Sequence, residues 1–291
     1  MIVKSLKKAL KKILILKNRK DILYPIGGFN IWLPSSHTLP GYQSLYKNYD
    51  KKLKSIITYT EKVNGNGAIL DIGANVGDTA AYLRTFSSSD IYCVEGDAFF
   101  LTYLYMNARI VPNIQIIDSF VRGLNLDLGY EVQRTGGTAS LKLSDEAKPA
   151  LKMISLSEIV SKAKIEDERI NLIKLDTDGF DFEILLGNND VIEKYKPSIY
   201  FEYDIGFKEK GYTDSIEVIL FLEKLGYSFI VYDNYGNLLD FVYDNCREKF
   251  LILNHYLQSN LQFGGGIYYF DIFASIDKTI LTYIIDEEFL S

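Results

Sequence analysis

The chain has 291 residues, a hydrophobic fraction of 47% and a formal net charge of −6, which suits one large α/β domain and excludes a disordered chain. No apolar run is long enough to span a membrane, and two cysteines, Cys93 and Cys246, are too few for a disulfide framework, so a reducing cytoplasm is expected. Charge is uneven: the first 20 residues hold Lys4, Lys7, Lys8, Lys11, Lys12, Lys17, Arg19 and Lys20 and no acid, while the remainder carries 24 Lys/Arg against 38 Asp/Glu, a net of −14. So acidic a body repels a phosphate backbone and excludes nucleic acid as a partner.

Residues 1–48 read as an extension. In helical projection Ile2, Leu6, Ala9, Ile13 and Leu16 share one face with lysines around the rest, a basic amphipathic helix suited to peripheral contact with an anionic membrane, at its inner face for a cytoplasmic protein. Charges interrupt every apolar run there, so the segment does not read as a cleaved signal peptide. Residues 21–48 are expected to be irregular, with turns at Gly27-Gly28, Pro34 and Leu39-Pro-Gly-Tyr42.

Residues 49–291 read as one catalytic domain. Helical spacing (Leu53, Ile56, Ile57, Thr60) covers 49–63. A first strand at 68–72 leads to a helix over 78–86, a second at 91–95 to a helix over 98–108, and a third spans Ile114–Ile117. Residues 123–150 are turn-rich and read as a hairpin insertion around Gly136-Gly137. A helix at 157–163 precedes a fourth strand, Leu172–Leu175, and a helix over 180–187. A fifth strand, Ser198–Glu202, a helix over 214–225, a sixth strand within 227–232 and a last one near 267–274 complete the order. Such alternation implies a doubly wound, Rossmann-like α/β sheet, mostly parallel.

The most informative segment is Ala68-Ile-Leu-Asp-Ile-Gly-Ala-Asn-Val-Gly-Asp-Thr79. A short apolar strand, a glycine turn and a helix start at Gly77-Asp78-Thr79 make a nucleotide-sized cradle, in which glycine lets a ligand lie against bare backbone. The loop Gly73-Ala-Asn-Val-Gly77 lacks the middle glycine of G-x-G-x-x-G, which disfavours pyrophosphate and an NAD-dependent oxidoreductase. Glu95 ends the run Ile91-Tyr-Cys-Val-Glu95, close to the spacing at which an acid holds ribose hydroxyls. Asp71 beside the loop favours a ligand with a cationic amino-acid end.

Acids recur at later strand ends: Asp176 and Asp178 after the fourth strand, Glu202 and Asp204 at the fifth. Ligands of open α/β sheets bind outside the carboxyl ends of the strands, so Asp176 is expected across from the Gly73 loop. Acids there also serve as helix caps.

The blocks LDIGANVGDT, VEGD (94–97), LIKLDTDGFDFEIL (172–185) and KPSIYFEYD (196–204) resemble the FkbM-type S-adenosylmethionine-dependent methyltransferases, as do LPSSHTLPGYQ (33–43), GGTASL (136–141) and ISLSEI (154–159). The resemblance covers about residues 30–275. It departs at Asp176-Thr-Asp-Gly179, where the family commonly has D-V-E-G, and at Gly96, where proline is frequent. It implies a seven-stranded sheet with the last strand antiparallel and S-adenosylmethionine as cofactor. The binding set it implies is Asp71, Gly73, Ala74, Asn75, Gly77, Asp78, Thr79, Glu95, Gly96, Asp97, Asp118 and Ser119. Asp71 would lie near the methionine amino group, Glu95 on the ribose, and Asp118 and Ser119 beside the adenine. The acceptor it suggests is a small-molecule hydroxyl, of a sugar, polyketide or related metabolite; the tyrosine-rich composition and the basic N-terminal helix point within that range to a surface glycan or lipid-linked precursor. Methyl transfer to a hydroxyl needs alignment and a proton acceptor. The candidates are Asp176, Glu202 and His37; a divalent cation held by acids is less favoured, and no metal ligands are assigned. A non-catalytic S-adenosylmethionine-binding protein is the remaining alternative.

Overall fold

The computed structural model describes residues 21–46, 48, 50–124, 130–135, 137–143, 151–208 and 210–290. The amphipathic helix expected over 1–20 lies outside them. The chain begins with a hairpin, β1 (Asp21–Ile26) and β2 (Phe29–Pro34), then α1 (Leu39–Leu45), α2 (Lys52–Asn64), β3 (Ala68–Ile72), α3 (Asp78–Arg84), β4 (Asp90–Glu95), α4 (Ala98–Asn107) and β5 (Ile114–Asp118). The connection back across the sheet contains β6 (Phe120–Val121), the hairpin β7 (Tyr130–Thr135) and β8 (Thr138–Leu143), β9 (Met153–Ile154) and α5 (Leu156–Ala163). The second half runs β10 (Ile170–Leu175), α6 (Asp181–Gly187), α7 (Asn189–Tyr195), β11 (Ser198–Tyr203), α8 (Gly211–Lys224), β12 (Ser228–Asp233), β13 (Leu238–Val242), α9 (Cys246–Phe263), β14 (Phe270–Ser275) and α10 (Lys278–Leu290).

The main sheet has eight strands in the order β13-β12-β14-β11-β10-β3-β4-β5. Pairs from β5 to β11 are parallel, whereas β14 is antiparallel to both β11 and β12, and β13 is antiparallel to β12. The expected doubly wound, mostly parallel sheet with an antiparallel last strand is therefore present. The strand count of seven is corrected to eight: β13 is an extra edge strand returning from a tight turn whose Asp233 carboxylate accepts the Tyr235 and Asn237 amides. The chain leaves β3 through β4 to β5 and comes back to β10 on the other side of β3, so the strand order reverses between β3 and β10.

Side chains alternate between two apolar layers. Leu70, Ile72, Ile173 and Leu175 pack with α5, α6, α8 and α9 residues; Ile69, Ile91, Leu172 and Tyr200 pack with Leu53 and Ile56 of α2 and Ile280 and Leu281 of α10. The same parity puts Asp71, Lys174 and Glu202 on the α2/α10 face at the carboxyl edge of the sheet.

The segment expected to be irregular at 21–48 is in fact a hairpin and a short helix. Pro25 and Pro34 weaken a strand reading, yet a two-stranded ribbon tolerates them because each strand has an edge free of pairing. It packs through Ile26, Ile31 and Leu33 against Phe100 and Tyr103. The elements α7, β13, α9 and α10 also went unread; α9 buries Cys246, Phe250, Asn254 and Leu257, and the polar Asn254 interrupts the apolar pattern that would mark a helix. The hairpin insertion within 123–150 is present as β7–β8.

Candidate functional site

The loop after β3 is fixed by backbone contacts. Gly73 and Ala74 donate to the Val94 carbonyl at 3.0 and 3.1 Å, and Gly77 donates to Ala74 at 2.7 Å. Gly73 has φ +80, and a Cβ there would collide with the Asp176 carbonyl oxygen. A Cβ on Gly77 would meet Leu104 Cδ1 at 2.7 Å. Protein thus fills the space a Cβ would take at either position, and Gly73 is what lets the β3 and β10 loops touch.

Glu95 is buried and binds both sides of the loop. Its Oε2 accepts the Asn75 amide at 2.9 Å and its Oε1 accepts the Asp97 amide at 2.6 Å. Burial pushes its carboxyl up to about 7, against the downward pull of those backbone donors. The ring of Phe120 stands against Gly96, while the Ser119 hydroxyl donates to Lys152 O at 2.8 Å. Gly73, Asn75, Glu95, Gly96 and Ser119 line one narrow pocket together with Phe120, Phe180, Ile184 and Leu141.

Other predicted residues lie elsewhere. Asp97 caps α4, accepting the Phe99 and Phe100 amides at 2.9 and 3.1 Å, and its other oxygen pairs with Arg134 Nε at 2.8 Å and Nη2 at 2.5 Å. Ala74 is buried in the core. Asp118 is exposed at the end of β5 and does not line this pocket. Asp71 lies behind the loop, fully buried, with neither carboxylate oxygen hydrogen-bonded and with Lys174 Nζ 3.8 Å from Oδ1. Burial raises its carboxyl to about 6 against the pull of Lys174. Strand alternation turns it towards α2.

A second cleft of about 450 Å³ opens from the same loop and shares Gly73, Asn75, Asp176 and Asp178 with the first. Carboxylates of Asp50, Asp78, Asp176, Asp178, Glu202 and Asp204 line it, with Thr79 and the aromatic rings of Tyr42, Phe207, Tyr268 and Tyr269. Lys174 is the one lysine or arginine among the described lining residues. The β10 loop is pinned by Asp181, which accepts the Thr177 amide at 3.0 Å, the Thr177 hydroxyl and, through its other oxygen, the Glu202 amide at 3.0 Å. Burial raises Asp178 to about 7 and Glu202 well above the usual carboxylate range; for both, Asp176 and Asp181 push further in the same direction.

His37 reaches this cleft from the segment before α1, but both ring nitrogens are engaged. Nδ1 accepts the Leu39 amide at 3.2 Å, which places the proton on Nε2, 3.3 Å from Asn75 Oδ1. Asn75, at φ 49, also donates to Gly137 O of the β7–β8 turn at 2.8 Å. His37 thus joins three segments at the motif loop. No three His, Cys, Asp or Glu side chains among the described residues converge as a metal site.

Lys174, Asp181, Phe120 and Asp50 were not singled out by sequence reasoning. Lys174 left the clearest signal, a lysine inside the otherwise apolar strand run Leu172-Ile-Lys-Leu175.

The reversed strand order and a cradle of a glycine loop with an acid at the end of the next strand are the features of a doubly wound nucleotide-binding fold. The FkbM methyltransferase domain model matches residues 71–229, more than half of the chain, and the chain belongs to that family. No curated protein matches it in sequence. Among solved structures it is similar to the plantazolicin methyltransferase BamL, described with a triazolic desmethylPZN analog and SAH, at 12% identity over 82% of this chain and 90% of that one, TM-score 0.40. It is similar also to precorrin-6y C5,15-methyltransferase from Geobacter metallireducens GS-15 (15% identity, 62% and 73% covered, TM-score 0.35). The methyltransferase FkbM from Methylobacillus flagellatus KT shares 14% identity over 57% of this chain and 48% of its own, TM-score 0.32.

Proposed function

We propose that the chain transfers a methyl group to a hydroxyl of a neutral, polyhydroxylated acceptor, a sugar of a glycan or lipid-linked precursor. The observation that carries this reading is the second cleft, in which six carboxylates and four aromatic rings surround a space that opens onto the cofactor cradle. Carboxylates accept hydrogen bonds from sugar hydroxyls, and tyrosine and phenylalanine rings offer stacking faces. The same acids repel a phosphate or carboxylate near the reacting oxygen, which argues against an anionic acceptor group there.

The residues fit the cofactor. Glu95 would accept the ribose hydroxyls, the slot between Ser119, Phe120 and Ile184 would take the adenine, and the Gly73–Asn75 backbone with Asp176 would border the methionine end. Bound S-adenosylmethionine supplies a methyl group activated by a sulfonium. The protein aligns the acceptor oxygen, keeps the cleft in register with the cradle through Gly73, and takes the hydroxyl proton on a cleft carboxylate. The alternative of an oxidoreductase is set aside by the family.

The test is methyl transfer from labelled cofactor to neutral glycans, with phosphorylated glycans alongside. Asp176→Ala and Glu202→Ala should abolish transfer while S-adenosylhomocysteine binding persists. Preferential labelling of phosphorylated acceptors, or full activity in both variants, would overturn the reading. Contact with membrane through the basic residues 1–20 belongs to the same proposal. No helix among the described residues is long and apolar enough to cross a membrane, so a peripheral contact is what is proposed. Anionic-vesicle flotation should be lost when residues 1–20 are removed.

A further inference from the structure

We propose that the acceptor is held over two consecutive sugar rings: the ring to be methylated in the carboxylate-lined cleft, and its neighbour in a side pocket between the β1–β2 turn, α1 and α3. This rests on the cleft being the site of O-methylation of a glycan. The side pocket has a volume of about 250 Å³, room for a single sugar ring. It adjoins the cleft at Asp50, Asp78 and Thr79, which line both spaces.

Helix α1 and the residue after it form the wall common to the two. Leu39 and Tyr42 line the cleft, whereas Gln43 and Tyr46 line the side pocket. Tyr42 and Tyr46 are four residues apart, and their ring centroids are 6.0 Å apart, so aromatic surface continues from one space into the other. Tyr46 is backed by Tyr235 at 4.9 Å between centroids, and the Tyr235 hydroxyl donates to Gly266 O at 2.7 Å. The segment 33–43, singled out in the sequence, thus reaches the cleft with His37 and the side pocket with Gln43.

The opposite wall is fixed as well. The Tyr24 hydroxyl donates to Gln43 Oε1 at 3.2 Å, and the Gly28 amide donates to Thr85 Oγ1 at 3.1 Å. Asn107 accepts the Trp32 amide at 2.7 Å and donates to Trp32 O and Val76 O at 3.0 and 2.8 Å. The hairpin is therefore tied to α1, α3, α4 and the motif loop, and the side pocket has walls in place before a ligand arrives, which lowers the cost of binding.

The lining selects a hydroxylated ring. Gln43, Thr79, Asp50, Asp78 and Lys51 supply both donors and acceptors, as hydroxyl groups require, and Tyr46 and Tyr82 supply faces on which a sugar ring can stack. An acyl chain would bury two carboxylates without partners. A phosphate would face both carboxylates with Lys51 as the one lysine or arginine among the described lining residues.

The test is calorimetry on the full-length protein with S-adenosylhomocysteine. The titrants are the methyl glycosides of glucose, galactose and mannose and their neutral disaccharides and trisaccharides. In at least one series Kd should fall about tenfold from one ring to two, the scale of a stacked and hydrogen-bonded ring, with little further change at three. Gln43→Ala and Tyr46→Ala should each erase most of that step; Gln43 is only half-buried, so its replacement leaves α1 intact. Two rings binding no tighter than one in every series, both variants keeping the full step, or no binding by any titrant would overturn the side pocket. Methyl transfer from labelled cofactor separates the two readings. A step in Kd with no transfer to any glycan would support the side pocket and count against O-methylation, whereas transfer indifferent to acceptor length would overturn the side pocket alone.

Discussion

The two cavities that meet at Gly73 are built on different principles. The proposed cofactor cradle comes largely from strand ends and loops that follow β3, β4 and β5, and its Glu95 carboxylate is already committed to two backbone amides. The carboxylate-lined cleft draws on the segment before α1, the β7–β8 turn and the ends of β10, β11 and β14, and its acids outnumber their one ammonium. A pocket tied by backbone hydrogen bonds tolerates little change, whereas a cleft of side chains from remote segments can change without disturbing its neighbour.

The harshest way to break this separation is Gly73→Ala, because Gly73 lines both cavities. The new Cβ would collide with the Asp176 carbonyl at a left-handed φ, combining overpacking with backbone strain. A loss of roughly 3 kcal/mol or more is expected in denaturant unfolding. A variant as stable as the parent would show that the two loops are not in contact.

Glu95 tests the cradle alone. Glu95→Ala should weaken S-adenosylhomocysteine binding by roughly 10–100-fold, the range for charge-assisted hydrogen bonds, with acceptor discrimination intact. The carboxylate is the form that accepts ribose hydroxyls, and burial raises its pKa to about 7. Affinity should therefore rise as pH increases through 7 and level off above it, falling about tenfold for each pH unit well below. Calorimetry at pH 6 and pH 8 reads this directly. A flat profile in the parent protein, or an unchanged slope in Glu95→Gln, would remove Glu95 from the ribose.

This contrast also explains what the sequence could convey. The cradle was legible because its parts lie in contiguous motifs: a strand, a glycine turn and an acid ending the next strand. Even there the close approach of Gly73 to the carbonyl of Asp176, a hundred positions away, leaves no local mark in the sequence. The cleft acids Asp176 and Glu202 were visible as strand ends, but Lys174 was not, because only the register of β3, β10 and β11 shows that a lysine in an apolar strand faces carboxylates. The β1–β2 ribbon and α9 were hidden for a local reason, prolines in one and Asn254 on the buried face of the other.

A smaller effect separates the hairpin from the cradle it leans on. Arg134 pairs with Asp97 but is itself 47% exposed at its side chain, so solvent screens the bond from one side. Asp97 keeps its capping bonds to Phe99 and Phe100 when Arg134 is removed. Arg134→Ala should cost no more than about 1 kcal/mol in unfolding and leave cofactor affinity within about twofold. Acceptor KM should be the quantity that moves, because the β7–β8 turn contributes Gly137 and Thr138 to the cleft. A large loss of cofactor affinity would make the hairpin part of the cradle.

The mildest change is expected at His37, and it discriminates sharply between two roles. As a general base His37 would be worth about 10²–10⁴-fold in rate. With Nδ1 taken by the Leu39 amide and Nε2 bonded to Asn75, it has no lone pair to offer an acceptor, and its contribution is one neutral hydrogen bond steadying the motif loop. Such a bond is worth about 1 kcal/mol. His37→Ala should therefore slow methyl transfer only several-fold, with no limb lost from the pH profile, because Asn75 retains its bonds to Glu95 and Gly137. A fall of a hundredfold would return the role of proton acceptor to His37 and reduce the cleft acids to acceptor binding.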